Sequence, residues 1–219
     1  MAKLLANRRQ AGSLLALKLS AYVNFPNTIV LALPRGGVPV AFEIATALNL
    51  PLDLCLVRKL GVPTHPELAM GAIASNGVMV TNSNIIEWYK VSRAEIAATI
   101  ASEAKELDRR DRLYRQGRSQ PIINNKTVIL VDDGIATGST IRAAINLLKK
   151  QHPQTIIAAI PVADASICQE LRQEVDRVIC LHETDNLYSI SCWYQDFSQV
   201  EDREVQDLLA NADRNTIVK

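Results

Sequence analysis

The sequence predicts an α/β fold in which a central, mostly parallel sheet is flanked by helices. Strand-like apolar runs alternate along the chain with segments of helical period, a pattern typical of parallel strands joined by crossover helices. The 219 residues, 48% of them apolar, are enough for one good-sized core. No repeat or low-complexity linker interrupts them, so we expect a single domain over residues 1–219.

In the first half, the leucines before residue 20 have the spacing of an amphipathic helix, which we favour over a targeting peptide. Residues 28–33 (TIVLAL) predict a buried strand, residues 38–48 a helix, and residues 52–57 a second strand. Residues 70–81 predict a hairpin, because Asn76-Gly77 supplies its turn.

The second half begins with a charged, mostly helical excursion over residues 83–120. Ser92 and Glu95 form a predicted capping box for a long helix that ends near Gln116. The remaining predicted elements are a strand over 126–132, a helix to about 150, a strand over 155–162, a helix near 164–174, a strand over 175–181 and a short helix over 200–210.

Charge and cysteine content exclude several classes of protein. The 24 Lys and Arg nearly balance 23 Asp and Glu, which argues against a protein that coats nucleic acid. No apolar run reaches the roughly 18 residues of a membrane span. The four cysteines form no C-x-x-C pair, so we expect reduced thiols in a cytoplasmic protein and no cysteine metal site.

The most informative segment is VILVDDGIATGST, residues 128–140. Asp132 and Asp133 end a buried strand, the edge of a parallel sheet where ligands bind. Gly134 and Gly138 let the backbone approach a ligand closely. Hydroxyl groups follow at Thr137, Ser139 and Thr140, at a helix start suited to a phosphate. Vicinal acceptors beside a phosphate cradle describe a site for a ribose 5-phosphate; the alternative is a simple turn followed by a helix cap.

Two other nucleotide motifs are excluded by spacing. A P-loop needs one more residue between Gly134 and Gly138 and a lysine where Ser139 stands. A dinucleotide fingerprint needs G-x-G-x-x-G, which neither this loop nor Gly36-Gly37 supplies.

Residues 128–140 resemble the phosphoribosyl pyrophosphate (PRPP) motif of the type I phosphoribosyltransferases. The chain also resembles a subgroup of phosphoribosyltransferase-like proteins of unassigned substrate, from about Arg8 to Leu209. The resemblance lies in the order of four segments: PRGG, RKLG-x-P-x-x-P-E-L-A-x-G-A, this motif and WYQDF. The resemblance implies a Rossmann-like sheet with a hood, a homodimer and Mg²⁺ as cofactor. It assigns the 5-phosphate to Gly134, Ile135, Ala136, Thr137, Gly138, Ser139 and Thr140.

The resemblance also implies the remaining roles. Asp132 and Asp133 would hold the ribose hydroxyls and, directly or through water, the metal ion. Arg35, Gly36 and Gly37 would bind pyrophosphate, together with Arg58 and the catalytic Lys59 at the end of the second strand. A plain turn and a solvated loop are the alternatives for these two segments.

A lid and a hood complete the implied site. His65 lies in a proline-rich segment that would close over the ligand, although such a histidine is often merely exposed. The hood would span residues 183–197 and stack a base on Tyr188, Trp193 or Tyr194, unless these rings only seal the core. The arginines of the helix over 92–118 either attract a polyanion or form a solvated face with local acidic partners.

The implied reaction transfers the ribose 5-phosphate of PRPP to a purine or pyrimidine base, or the reverse, in nucleotide salvage or synthesis. Ala136 stands where enzymes for 6-oxopurines have an aspartate, which argues against those bases. The alternative is a PRPP or nucleotide sensor on the same fold, and a PRPP-forming diphosphokinase ranks last. We expect no nucleic-acid or membrane partner.

Overall fold

A computed structural model of the chain describes residues 4–185 and 187–217. The helices are α1 (Arg8–Lys18), α2 (Gly37–Leu48), α3 (Ser83–Trp88), α4 (Arg93–Arg115), α5 (Ser139–Lys149), α6 (Ala165–Glu174) and α7 (Asp202–Ile217). The strands are β1 (Thr28–Ala32), β2 (Leu52–Leu54), β3 (Val57–Val62), β4 (His65–Ala74), β5 (Met79–Thr81), β6 (Thr127–Val131), β7 (Thr155–Asp164) and β8 (Arg177–Thr184).

The chain divides into two compact units. The first unit comprises Met1–Cys55, Pro121–Gly138 and His152–Lys219, and the second comprises Leu56–Gln120 and Ser139–Gln151. Among the described residues, no helix is both long and apolar enough to cross a bilayer.

The first unit is built on a five-stranded parallel sheet with the order β2-β1-β6-β7-β8. Every residue of β1 and β6 is buried, which explains why both strands are uninterrupted apolar runs. Helix α1 packs on α2, and α2 packs on β1 and α7. This sheet confirms the predicted α/β architecture, and all its strands end at the same edge.

The second unit contains an antiparallel sheet with the order β3-β4-β5, on which α4 and α5 pack. The predicted hairpin is confirmed as β4 and β5, with Gly77 in the turn at a φ of 79°. The predicted strand over 52–57 is wrong as a single element. Cys55 still bonds to Ala32 in the parallel sheet, whereas Leu56 bonds to Ser75. The apolar run crosses this change of sheet without a break, so periodicity does not reveal it.

Helix α4 begins as the sequence predicts, with Ser92 and Glu95 forming both bonds of the capping box. Arg109 and Arg110 pair with Glu106, as expected for a solvated face. Arg115 departs from that expectation, because its side chain is only 3% exposed and pairs with Asp111 at 2.9 Å. Short helix α3 begins the excursion that the sequence predicted as mostly helical, and α7 runs further than predicted.

Candidate active site

The acidic loop begins at the carboxyl end of β6, where the sequence places it. Buried Val128–Val131 hold the strand in the core, and Asp132 and Asp133 follow at once with little of their surface open to solvent. The Asp133 backbone N–H donates to Asp132 Oδ1 at 2.9 Å. Burial, and next the charge of Asp133, raise the pKa of Asp132 well above its ordinary value.

The loop is fixed to the sheet again one residue after Gly134. The Ile135 N–H donates to the Val162 carbonyl at 2.9 Å, and Ile135 bridges Ala163 on β7. A Cβ on Gly134 would lie 2.5 Å from Cγ2 of Ile190, so this close packing requires glycine. Gly138 has a φ of 74°, a conformation that glycine adopts without strain. Ala136 and Thr137 between them are exposed.

Arg8 of α1 is a residue of this site that the sequence did not reveal. Its Nε donates to Asp133 Oδ2 at 2.8 Å, with the two side chains only 11% and 14% exposed. Its Nη1 donates to the Ser198 carbonyl at 2.7 Å, and its guanidinium lies 3.8 Å from the centre of the Phe197 ring. No motif spacing links residue 8 to residue 133.

Tyr194 holds the same loop through its backbone. Its hydroxyl donates to the Asp133 carbonyl at 2.7 Å, and the residue is 6% exposed within a core cluster that includes Leu5 and Val162. Burial raises the pKa of Tyr194 above its ordinary value. This ring therefore supports the loop and has little free face for a base.

The other two predicted hood aromatics are placed differently. Trp193 is half-buried, with its ring centroid 5.5 Å from that of His182. Tyr188 is 94% exposed. Residues 190–193 form a short 3-10 helix within the predicted hood segment. Of the three rings, Tyr188 and Trp193 keep exposed surface.

The PRGG turn lies directly after β1. The Pro34–Arg35 peptide is cis. A Cβ on Gly36 would fall 2.0 Å from Asp133 Oδ2, so the turn and the acidic loop are in tight contact. The Gly37 N–H donates to the Leu33 carbonyl at 3.0 Å within the turn. Arg35 reaches Asp202 at 3.6 Å and is half-exposed.

The predicted cations of the second unit lie within a hairpin. Arg58 and Lys59 are inside β3 and do not follow a strand end, which corrects their predicted setting. Arg58 Nε bonds to Glu103 at 2.5 Å, and Lys59 Nζ donates to the Glu67 carbonyl at 3.0 Å. The predicted lid segment contains the β3–β4 turn and the start of β4, and exposed His65, the first residue of β4, has its ring centroid 5.0 Å from that of Tyr89.

This arrangement can accept hydroxyl donors at Asp132 and offer hydroxyls and backbone amides over residues 136–140, whereas the predicted phosphate ligand Ile135 already donates its amide to Val162. A model of the phosphoribosyl transferase domain matches residues 3–195. The chain belongs to this family.

Relatives agree with that assignment. Two strains of Mycobacterium tuberculosis have a protein, provisionally named a phosphoribosyl transferase, that is 38% identical over 213 residues. The match takes in 97% of this phosphoribosyl transferase domain but 48% of each relative, so the chain spans about half their length. TT1426 from Thermus thermophilus, whose crystal structure is known, is 32% identical to this chain in sequence. The two structures superpose with a TM-score of 0.87 over 95% of this chain and 99% of that one.

Proposed function

We propose that this domain transfers the ribose 5-phosphate of PRPP to a ring nitrogen of a base, or runs the reverse reaction. The observation that carries the proposal is the acidic pair at the carboxyl end of β6, followed by a loop that leads straight into α5. Such a strand end is where parallel α/β sheets bind ligands. Acceptors for vicinal hydroxyls and donors for a phosphate then lie in one contiguous segment.

The residues have distinct proposed roles. Asp132 accepts the ribose hydroxyls and favours positive charge on the sugar, while the amides and hydroxyls of residues 136–140 hold the 5-phosphate. Arg35 and Gly36 face the pyrophosphate, and Arg58 and Lys59 remain proposed cations for it. The bond from the anomeric carbon to pyrophosphate breaks, a bond to the base nitrogen forms, and the base loses its proton.

The donor set fits Mg²⁺. Asp132 and Asp133 offer carboxylate oxygens, the ligands that this ion prefers. A bound cation would offset the burial and the neighbouring Asp133 charge, which together raise the pKa of Asp132. Among the described residues, no third acidic or cysteine ligand joins this pair, so substrate oxygens and water would complete the coordination. The bound ion would neutralise the leaving pyrophosphate.

The acceptor is proposed to be a purine or pyrimidine other than a 6-oxopurine, because exposed Ala136 carries no carboxylate for such a base. A homodimeric state and a cytoplasmic location are part of the same proposal. Light scattering on the purified full chain tests the dimer.

A PRPP or nucleotide sensor is the second candidate, and the Arg8–Asp133 ion pair favours it. A carboxylate already neutralised by an arginine stabilises a cationic transition state less than a free one. A binding protein needs no such stabilisation.

Pyrophosphate release separates the two candidates. Purified full-length chain is incubated with PRPP, Mg²⁺ and each of a panel of bases, beside the double variant Asp132→Asn/Asp133→Asn. Asp108→Asn, an exposed acid of α4, is the matched control. Base-dependent release that only the double variant loses supports the transferase. Undiminished release by the double variant contradicts the site, and PRPP binding without release supports the sensor.

A further inference from the structure

Helix α6 and strand β8 bring together a cluster of metal-ligating side chains that the proposed reaction does not use. Cys168 of α6 meets Cys180 and Glu183 of β8, and their two sulfurs and a carboxylate oxygen all lie within 4.8 Å of one another. Cys168 is 0% exposed, whereas Cys180 and Glu183 retain solvent contact that gives an ion a way in. Glu183 is the first residue of the predicted hood segment, but the proposed reaction assigns no role to any of the three side chains.

We propose that Cys168, Cys180 and Glu183 bind a zinc ion that joins α6 to β8. Two thiolates and one carboxylate are a zinc donor set, with water at the fourth position. In a tetrahedron, zinc–sulfur bonds of about 2.3 Å place the two sulfurs about 3.8 Å apart, and a zinc–oxygen bond of about 2.0 Å places the oxygen about 3.5 Å from each sulfur. The observed separations, all within 4.8 Å, therefore need to shorten by no more than about 1.3 Å.

The charges around the cluster favour a divalent cation. Two thiolates and a carboxylate carry three negative charges, which zinc and Arg172 together balance. Arg172 on α6 already donates to Glu183, and this bond orients the carboxylate as outer-shell partners of metal ligands do. Asp164, held by Ser166, adds negative potential near Cys168.

The two thiols are arranged around each other. The Cys180 thiol donates to the His182 carbonyl oxygen at 3.2 Å, and its sulfur lies within 4.8 Å of the Cys168 sulfur. The cysteines are twelve positions apart, one on a helix and one on a strand, and so match no sequence motif for zinc. Only the packing of α6 on β8 makes them neighbours.

Cobalt serves as the spectroscopic probe and zinc as the competitor. Reduced, metal-free full-length chain is titrated with Co²⁺, and one equivalent is expected to produce a thiolate-to-cobalt charge-transfer band that Zn²⁺ then abolishes. Cys168→Ser and Cys180→Ser each lose the band. Cys192→Ser, which alters an exposed thiol outside the cluster, keeps it. Glu183→Gln weakens Co²⁺ binding at least tenfold.

Failure is equally visible. If the wild-type chain forms no band under reducing conditions, the proposal is overturned. The same holds if the two thiols bind no Co²⁺ and only form a disulfide once reductant is removed. An unchanged band in Cys180→Ser also overturns it. If buried Cys168→Ser does not fold, as circular dichroism shows, the partly exposed Cys180 and Glu183 variants still decide. The readout is independent of transferase activity.

Discussion

Arg8 and Asp133 form an ion pair, Nε to Oδ2 at 2.8 Å, between residues 125 positions apart in the chain. The pair joins the first turn of α1 to the loop that begins the candidate active site. Because both side chains are largely buried, removing one partner leaves the other without the solvation that water would give. The pair therefore sets both the stability and the electrostatics of the loop.

Arg8→Gln is expected to lower the free energy of unfolding by about 2–3 kcal/mol, since it removes two charge-assisted hydrogen bonds and the contact with Phe197. The control is Arg9→Gln, which removes a more exposed ion pair between Arg9 and Glu43. This loss should lower the free energy of unfolding by less than about 1 kcal/mol. Urea denaturation measures both. Equal losses would show that the Asp133 pair is no stronger than a surface pair.

The pKa of Asp132 should respond in opposite directions to its two neighbours. Asp133→Asn removes a like charge and lowers it, whereas Arg8→Gln removes a cation and raises it. Carboxyl carbon NMR against pH measures both shifts. Movement in the same direction in both variants would contradict the assignment.

The raised pKa has a defined effect on stability. The folded chain holds the Asp132 proton more tightly than the unfolded chain, whose ordinary pKa is 3.8. The stabilisation from this group is therefore complete below pH 3.8 and is lost as pH rises through the higher folded value.

Gly36→Ala tests the contact between the PRGG turn and the acidic loop. Gly36 has a φ of −60° and a ψ of −33°, which alanine adopts freely, so only the clash with the Asp133 carboxylate is introduced. We expect a loss of about 1–3 kcal/mol, and a smaller loss in an Arg8→Gln background, where Asp133 can move aside. If the two losses of unfolding free energy are additive in this double-mutant cycle, the Gly36 contact and the Arg8 ion pair act independently, which contradicts the expected coupling through Asp133.

Ser92→Ala removes the side chain that begins α4, and should cost about 1 kcal/mol of unfolding free energy. Ser102→Ala, at an exposed position inside the same helix, should change it by less than about 0.5 kcal/mol. Thermal or urea unfolding distinguishes them. A larger loss from Ser102→Ala would disprove the cap's contribution.

Sequence patterns predicted the features that depend on neighbours along the chain. The apolar runs of β1 and β6, the Asn76-Gly77 turn and the Ser92–Glu95 capping box each follow from local chemistry, and the structure has all of them. The five-stranded parallel sheet followed from their alternation.

Features that depend on distant packing were not predictable in this way. The burial of Arg115, the Arg8–Asp133 pair and the passage from one sheet to the other at Cys55 all depend on which surfaces meet after folding. The Cys168–Cys180 neighbourhood is of the same kind. Hydrophobic periodicity reports only on neighbours along the chain, so it does not reveal contacts between residues that lie far apart in sequence.

The bridge between Ile135 and β7 divides the acidic loop after β6 into two parts whose backbone amides exchange with solvent at different rates. The buried Ile135 amide donates to Val162, so its proton exchanges only when that part of the sheet opens. Exposed Ala136 and Thr137 follow immediately. The slowly exchanging amide of Ile135 is thus followed by two faster ones. A phosphate bound to this loop would slow exchange at residues 136 and 137 and leave the exchange rate at residue 135 unchanged.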